Sequence, residues 1–367
     1  MKRFFKWLFS LVLIVLIGWF SYAYVTSTND CEQQTAAPKN PTKAFITCDY
    51  GLANLRLADI EKPVPTDDQI LVKVHAASVN PYDWHFIEGT PYVMRAMGVG
   101  LRKPKNIRVG TDFSGTVEAV GKNVTQYKSG DEVFGGATGA FGQYVCRRAN
   151  GAVAPKPAAL SFEQAAAINI AGITALQAVR DQGKVQAGQK VLINGASGGV
   201  GTFAVQIAKS FGAEVTGVCS ARNTELVQSL GADHVIDYTK DDFTKGAERY
   251  DVVIDNVGNH SLSACHGVLT PNGAYVMIGG GGASEQGFLG AMGNILKAGL
   301  YSRFVKQKMG FMMANPTTSD LSLLAGMVES GKLKAVIDRT YKLDQVPEAV
   351  RYVEEGHARG KVVITVE

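Results

Sequence analysis

A glycine-rich stretch at residues 190–201, KVLINGASGGVG, has the residue types and spacing that bind a phosphorylated cofactor. The apolar run that opens it is typical of a buried parallel strand, and a helical pattern follows it as far as Gly212. Glycines let a pyrophosphate approach the backbone, and the N–H groups and dipole of a helix start stabilise its charge. A glycine turn alone can be a plain tight bend, but strand, turn and helix in this order are the dinucleotide-binding fingerprint. The predicted contacts are Ser197, Gly198, Gly199 and Val200.

The residues after the next predicted strand, Glu214–Cys219, distinguish NADPH from NADH. An NADH site usually has an acid at that strand end to hold the ribose 2′-hydroxyl, whereas this chain has Ser220 and Arg222. A hydroxyl and a guanidinium can bind a 2′-phosphate, which a carboxylate would repel. We therefore expect NADPH, with Tyr238 beside its adenine or its phosphate. In the alternative, Ser220 or Asn223 caps a helix and Arg222 is solvated.

The elements that must position these residues divide the chain in two. Strands alternate with helical stretches over residues 166–310, which predicts a doubly wound parallel sheet that binds NADPH. Short strands separated by glycine turns over residues 44–165 predict a compact β-barrel-like domain. The last predicted strand, residues 361–366, is expected to return to that barrel, so residues 311–367 complete it. Two helices are predicted within residues 160–182, meeting at Ala171 and Gly172.

Composition excludes several classes of protein. The net charge is +4, and three of the basic residues lie in the first six positions, so the body is close to neutral and no nucleic-acid partner is expected. The five cysteines are scattered without a Cys-x-x-Cys pair. We therefore expect neither a disulfide framework nor a structural zinc lobe, and a reducing compartment is favoured.

Residues 1–27 indicate a membrane anchor or a signal. Residues 7–25 carry no charge, are about long enough to cross a bilayer and follow a basic flank. A cleaved signal peptide is the alternative, although no clear small-x-small site follows. The basic flank favours a cytoplasmic N-terminus, which would send the body across, whereas an NADPH enzyme needs the cytoplasmic cofactor pool. We expect a single-pass anchor with a cytoplasmic catalytic domain.

Two further segments have less specific patterns. Residues 28–43 are polar with two prolines, which predicts a linker. Residues 288–313 are apolar with interspersed Lys and Arg, so they form either an amphipathic helix on the membrane or an ordinary helix that covers the interdomain cleft or contacts a second subunit.

Six motifs resemble those of the zinc-independent medium-chain dehydrogenase/reductases of the quinone oxidoreductase type. The similarity covers nearly everything after residue 43 and implies a GroES-like catalytic domain, built from both ends of the chain, around a Rossmann domain. The motifs are VNPYDWH (79–85), VGTDFSG (109–115), NIAGITALQA (169–178), INGASGGVG (193–201), GADHVIDY (231–238) and GHARGKVV (356–363).

The resemblance also implies that no catalytic zinc is bound. Alcohol dehydrogenases of this fold that use zinc carry Cys, His and Cys where this sequence has Asn80, Thr111 and Ile170. A catalytic zinc needs three protein ligands, and the six histidines form no ligand pair. The site must then polarise a carbonyl with hydrogen bonds in a dry cleft.

From this we expect NADPH to deliver hydride to a quinone or an α,β-unsaturated carbonyl, since both delocalise the added charge. Asn80 would orient cofactor or substrate, or be only a structural amide before a proline. His85 is the candidate proton donor, although water is another source, and Tyr82, His85 and Tyr92 line the substrate end or simply pack. The resemblance implies further cofactor contacts from Thr174, Asn256, Gly279 and Lys361.

Two other functions stay open at this point. One is a membrane-tethered NADPH-binding protein without catalysis, acting as a redox sensor or scaffold. The other is a metal-independent alcohol dehydrogenase. The glycine turn fits all three functions, and a homodimer is a possible assembly.

Overall fold

The computed structural model describes residues 27–279 and 299–366, together with a few positions between 18 and 25. Predicted features in residues 1–17 and 280–298 lie outside the described residues. The strands are β1 (Pro41–Thr47), β2 (Leu55–Glu61), β3 (Gln69–Val79), β4 (Asp112–Val120), β5 (Glu132–Gly136), β6 (Tyr144–Arg148), β7 (Val153–Pro155), β8 (Lys190–Asn194), β9 (Glu214–Cys219), β10 (His234–Asp237), β11 (Tyr250–Asp255), β12 (Leu269–Met277), β13 (Lys308–Phe311), β14 (Ile337–Lys342) and β15 (Lys361–Thr365).

One helix precedes β1, and the others lie between the strands. They are α1 (Cys31–Thr35), α2 (Pro81–Glu88), α3 (Phe162–Ala166), α4 (Asn169–Gln177), α5 (Gly199–Ser210), α6 (Thr224–Ser229), α7 (Leu262–Gly267), α8 (Thr318–Glu329) and α9 (Val346–Glu354).

The barrel-like part is a mostly antiparallel sheet in the order β14-β15-β3-β4-β5-β7, with β6 also paired to β3. Irregular register between β3 and β4 bends these strands, as β-bulges do, so that the sheet curls around its core. Phe113, Phe141 and Ile364 are fully buried in that core. The closing strand β15 pairs antiparallel with β3, so the last strand of the chain returns to this sheet, whereas β1 and β2 form a separate two-stranded sheet.

The second sheet is parallel, in the order β10-β9-β8-β11-β12-β13. Its central strands β8 and β11 are buried on both faces because helices cover both sides. The order reverses between β8 and β11, and ligands of such sheets bind at the carboxyl ends of the strands at that point. The predicted doubly wound sheet is confirmed, including the bounds of β9 and β10 and the end of α5 before Gly212, where φ is +81°.

The N-terminal part differs from the sequence-based expectation. Residues 28–43, predicted to be a linker, contain α1 and the first residues of β1. A disulfide joins Cys31 and Cys48, with their Cα atoms 5.6 Å apart. The expectation of no disulfide is therefore wrong for this pair, because tertiary packing brings together two cysteines that no motif connects. The cysteines thus give no argument for a reducing compartment.

Two helix predictions also need correction. The helices predicted to meet at Ala171 and Gly172 instead break at residues 167–168, and both residues lie inside α4. Part of the segment 288–313, predicted to be a helix, is strand β13 at the edge of the parallel sheet. The remainder of that prediction falls mainly on residues outside the described part.

The single-pass anchor predicted for residues 1–27 is not supported. Within the residues described above, no helix has both the length and the apolar character needed to cross a bilayer. Most of the predicted segment lies outside those residues. The membrane localisation inferred from the sequence is therefore withdrawn.

Candidate active site and cofactor cleft

The glycine turn between β8 and α5 leaves bare backbone at the crevice. A methyl group on Gly201 would lie 2.1 Å from the Gly195 carbonyl oxygen, so only glycine lets the helix start this close to the strand. A methyl group on Gly199 would lie 3.1 Å from Lys361 Cδ, which places the side chain of Lys361 directly over the turn. Gly198 is the N-cap of α5. The turn therefore offers the N–H groups of a helix start beside a cation, which suits an anion.

Side chains at the end of β9 adjoin the same turn. Asn223 Nδ2 donates to Ser197 Oγ at 3.1 Å and to Ser220 Oγ at 3.2 Å, which joins the turn to the loop after β9. Asn223 is 5% exposed, and its Oδ1 has no hydrogen-bond partner within the described structure. A buried acceptor without a partner is costly, so this oxygen is suited to a donor on a ligand.

Two arginines meet beside this loop. Arg222 Nη2 donates to the His357 carbonyl oxygen at 3.3 Å, and Arg359 Nη2 donates to the Arg222 carbonyl oxygen at 3.4 Å. Neither guanidinium forms an ion pair within the described part of the chain. Ser220, Arg222 and Arg359 thus surround an exposed, positively charged corner.

The loop after β11 is held by a buried carboxylate. Asp255 Oδ1 accepts from Asn194 Nδ2 at 2.9 Å and from the N–H groups of residues 257 and 258 at 2.9 and 2.8 Å. Tyr275 donates to Asp255 Oδ2 at 2.7 Å, and the Gly279 N–H donates to the Asp255 carbonyl oxygen at 3.2 Å. Asn256 Nδ2 is bonded to the Asn194 carbonyl oxygen, and its buried Oδ1 is unpartnered among the described atoms.

Lys361, Asn80 and Asp112 form a buried polar cluster where β15, β3 and β4 meet. Lys361 Nζ donates to Asn80 Oδ1 at 2.5 Å and lies 3.6 Å from Asp112 Oδ2. Asp112 also accepts from Ser78 Oγ and Asn80 Nδ2, both at 3.0 Å, and from Asn169 Nδ2 at 2.8 Å. Burial lowers the pKa of Lys361, and the facing carboxylates oppose that shift. A charge this deeply buried needs such a partner.

Asp83 adds a second carboxyl group to the cluster. It is the third residue of α2, and its Oδ2 accepts the Asn80 N–H at 2.7 Å in a capping box. Its Oδ1 accepts from Thr111 Oγ1 at 2.8 Å. Burial raises the pKa of Asp83 to about 7; the charge of Asp112 acts in the same direction, while the two hydrogen bonds and Lys361 oppose the shift.

The predicted substrate-end residues are less closely connected. His85 Nδ1 is 2.8 Å from the Thr90 carbonyl oxygen, so Nδ1 carries the proton and Nε2 is the acceptor. Burial lowers the pKa of His85. A neutral His85 in this tautomer has no proton to give at Nε2, which weakens its case as the proton donor. Tyr82 and Tyr92 are about half exposed.

The other predicted cofactor contacts differ in burial. Thr174 is buried on α4, and Val200 is partly buried at the start of α5. Tyr238 is 58% exposed after β10. The structure thus brings Ser197, Ser220 and Arg222 together on one side of the turn, and Lys361 and Asn80 on the other.

These residues fit a dinucleotide. The bare Gly199 backbone can receive a pyrophosphate, and the orphan oxygens of Asn223 and Asn256 lie at the carboxyl ends of β9 and β11, where ligands of this sheet bind. Metal binding is not supported in the same way. Within residues 27–279 and 299–366, no group of three His, Cys, Asp or Glu side chains could hold a metal ion.

Comparisons with known proteins agree with this geometry. A family profile described as "Alcohol dehydrogenase GroES-like domain" matches residues 66–158, and one described as "Zinc-binding dehydrogenase" matches residues 230–364. The human "NAD(P)H oxidoreductase RTN4IP1, mitochondrial" is 36% identical over 331 residues, which is 82% of each chain. The chain belongs to the medium-chain dehydrogenase/reductase family.

Two further similarities narrow the class. The "Trans-enoyl reductase pgmF" of Aspergillus terreus is 35% identical over 86% of this chain and 92% of its own. The structure of the quinone oxidoreductase from Coxiella burnetii superposes with a TM-score of 0.77, at 31% identity, over 89% of this chain and all of that one. This medium-chain dehydrogenase/reductase is therefore an oxidoreductase with a nicotinamide cofactor, and its predicted GroES-like and Rossmann fold is confirmed.

Sequence reasoning missed several residues of the cleft. Asp83 and Thr111 were both inside recognised motifs, but their mutual contact joins residues 28 positions apart. Arg359 lies in the motif 356–363, one loop away from Arg222. The one local signal was the Asn80–Asp83 spacing, which is that of a capping box.

Proposed function

We propose that this protein is an NADPH-dependent, metal-independent reductase of quinones or α,β-unsaturated carbonyls. The observation that carries the proposal is the cleft itself, in which the glycine turn faces the buried Lys361–Asn80–Asp112 cluster. The described residues contain no group of side chains that could hold a metal ion. Related proteins whose names specify quinone and enoyl substrates support this class of acceptor.

The preference for NADPH is supported by the charged corner after β9. A 2′-phosphate would meet Ser220, Arg222 and, from the opposite side of the cleft, Arg359. The acid in this region is Asp237, whose Oδ1 accepts from the Ala221 N–H and from Thr239. Oδ1 is therefore engaged in the loop, while the buried Oδ2 has no hydrogen-bond partner among the described atoms and lies 3.8 Å from Lys240 Nζ.

The residues of the cleft divide the work of reduction. The bound nicotinamide supplies hydride. Ser197–Val200 and the two arginines would hold the phosphates, and Asp255 fixes the loop after β11. Lys361, held by Asn80 and Asp112, provides a positive charge that stabilises an acceptor oxygen as it gains negative charge. A quinone or an enone spreads that charge and so needs no Lewis acid.

The test is an acceptor screen with NADPH on the full chain, with simple quinones, enones and alcohols plus NADP⁺ in parallel. We expect NADPH consumption with quinones or enones that chelators do not diminish. Tight NADPH binding without turnover across the whole panel would indicate a sensor instead. Turnover confined to alcohols with NADP⁺ would indicate a metal-independent alcohol dehydrogenase.

The cofactor preference has its own test. Arg222→Ala and Arg359→Ala should each weaken NADPH by about 1–3 kcal/mol, as for a lost charge-assisted hydrogen bond, and leave NADH almost unchanged. Arg351→Ala is the matched control, because Arg351 is an exposed arginine on α9. Equal losses for NADPH and NADH would refute the 2′-phosphate assignment.

A further inference from the structure

The buried cluster in the cleft contains two carboxyl groups and one lysine. Asp83, Asp112 and Lys361 are each at most 3% exposed, and they lie within one hydrogen-bonded cluster built by α2, β4 and β15. Lys361 and Asp112 form an ion pair, with 3.6 Å between Nζ and Oδ2. Asp83 has no second cation among the described residues. Burying a third charge without a partner is costly, so the neutral carboxylic acid is favoured at Asp83.

The neighbours of Asp83 determine where its proton lies. Oδ2 accepts the Asn80 N–H, so the proton belongs on Oδ1, which is 2.8 Å from Thr111 Oγ1. Thr111 Oγ1 donates to the carboxylate form of Asp83, whereas a neutral Asp83 with its proton on Oδ1 would donate to Thr111 Oγ1 and leave the hydroxyl hydrogen of Thr111 free to turn outward. Thr111 is only partly buried, and it precedes Asp112, whose partner Lys361 covers the glycine turn. Of the hydrogen-bonded pair, Thr111 is therefore the residue that solvent reaches, since Asp83 is only 2% exposed.

We propose that Thr111 delivers the proton that completes reduction of the acceptor, and that Asp83 is the buried reserve that resupplies it. The proposal rests on the reductase function proposed above and names the proton source for it. The residue that touches the acceptor is Thr111, and Asp83 acts through it.

The proton and electron balance is simple. An enone that has received hydride at its β-carbon is an enolate, one proton short of the product. The Thr111 O–H bond breaks and its proton goes to the α-carbon, while the Asp83 O–H bond breaks and its proton goes to Thr111 Oγ1. Asp83 is left as a carboxylate, which Lys361 stabilises, and water reprotonates it after product release. A quinone differs, because the hydroquinone anion can leave and be protonated in water.

The first experiment needs neither cofactor nor turnover. Infrared spectra of the full chain, recorded across neutral pH, should show a protonated-carboxyl C=O band that disappears as Asp83 ionises. The groups facing Asp83 are Asp112 and Lys361 across the cluster and Tyr82 on its own helix, so the band is assigned with Asp83→Asn. Absence of the band, or its persistence in Asp83→Asn, would refute the claim that Asp83 is a protonated carboxyl group that resupplies Thr111.

The second experiment measures kcat against pH with NADPH and an enone. In the wild type, kcat should fall above the pKa of Asp83. Asp83→Asn should lower kcat roughly 100-fold, as for loss of a general acid, and flatten the profile. Thr111→Val should cause a similar loss and Thr111→Ser should recover it, while quinone reduction should change little in all three variants.

Thr47→Val is the control, because it removes a buried hydroxyl of the same domain that donates to the Asp49 carbonyl oxygen. An unchanged pH profile in Asp83→Asn, or equal losses for enone and quinone in all variants, would show that the pair is only structural. If the wild type reduces no acceptor, the reductase function fails, whereas the infrared band still reports on the proton at Asp83.

Discussion

Replacing Gly199 with alanine should separate cofactor binding from folding. Gly199 opens α5 with helical backbone, and the added methyl group would meet Lys361 Cδ at 3.1 Å and the Gly360 carbonyl oxygen at 3.6 Å. Lys361 is buried and its Nζ is held by Asn80 and Asp112, so its Cδ must yield by a few tenths of an ångström, and the free energy of unfolding of the cofactor-free protein should fall by about 1 kcal/mol.

Cofactor affinity should change much more. The methyl group would project from the turn toward Lys361 and cover the backbone on which we propose that the pyrophosphate binds. Losing one charge-assisted hydrogen bond to the backbone costs about 1.5–3 kcal/mol, which raises the Kd for NADPH roughly 10- to 150-fold. Fluorescence titration gives the Kd, and thermal unfolding of the same cofactor-free sample gives the stability.

The matched control is Gly326→Ala. Gly326 is an exposed residue inside α8 with no atom near the added methyl group, so this variant should gain about 0.5–1 kcal/mol of stability and keep its NADPH affinity. Unaltered affinity in Gly199→Ala, or a loss matched by an equal loss of stability without cofactor, would refute the role given to the turn.

Two further outcomes concern stability. The pKa of Asp83 is raised from 3.8 to about 7 on folding. Between these pH values the folded protein keeps a proton on Asp83 that the unfolded chain has lost, so the free energy of unfolding falls as pH rises toward 7. Relative to Asp83→Asn, the wild type should therefore lose up to about 4 kcal/mol of unfolding free energy between pH 4 and 7; a difference independent of pH in denaturant titrations would contradict this. Because the Cys31–Cys48 disulfide closes a loop with a sequence separation of 17 residues, Cys31→Ser should cost about 3 kcal/mol of stability without weakening NADPH binding. Equal stability of the oxidised and reduced wild type in denaturant would count against that contribution.

The parallel sheet was predictable because its signals are local. Continuous apolar runs and glycine punctuation identify β9 and β10 to the residue. Gly172 shows where such punctuation misleads. It lies inside α4 because Ile168 and Leu324 pack closely over it, each within about 3.2 Å of where a methyl group would be, and not because the helix breaks there.

The chemistry of the cleft was predictable only in part. The glycine turn and Arg222 follow from strand-to-helix spacing, which the sequence shows directly. The pairing of Asp83 with Thr111, and of Lys361 with Asn80, joins residues 28 and 281 positions apart. No periodicity indicates such contacts, because they depend on how the barrel closes. The Cys31–Cys48 pair is hidden from the sequence for the same reason.

The pairing of β15 with β3 has a consequence for how the molecule can be divided. Lys361 and Val79 are 282 positions apart, and the whole dinucleotide-binding sheet is inserted between them. Collapse of that insertion brings the two flanking segments into reach and reduces the entropy lost in joining them. We therefore expect the inserted unit to fold when it is expressed as a separate fragment. A barrel expressed without its final strand would lack both the pairing of β15 with β3 and the lysine that covers the glycine turn.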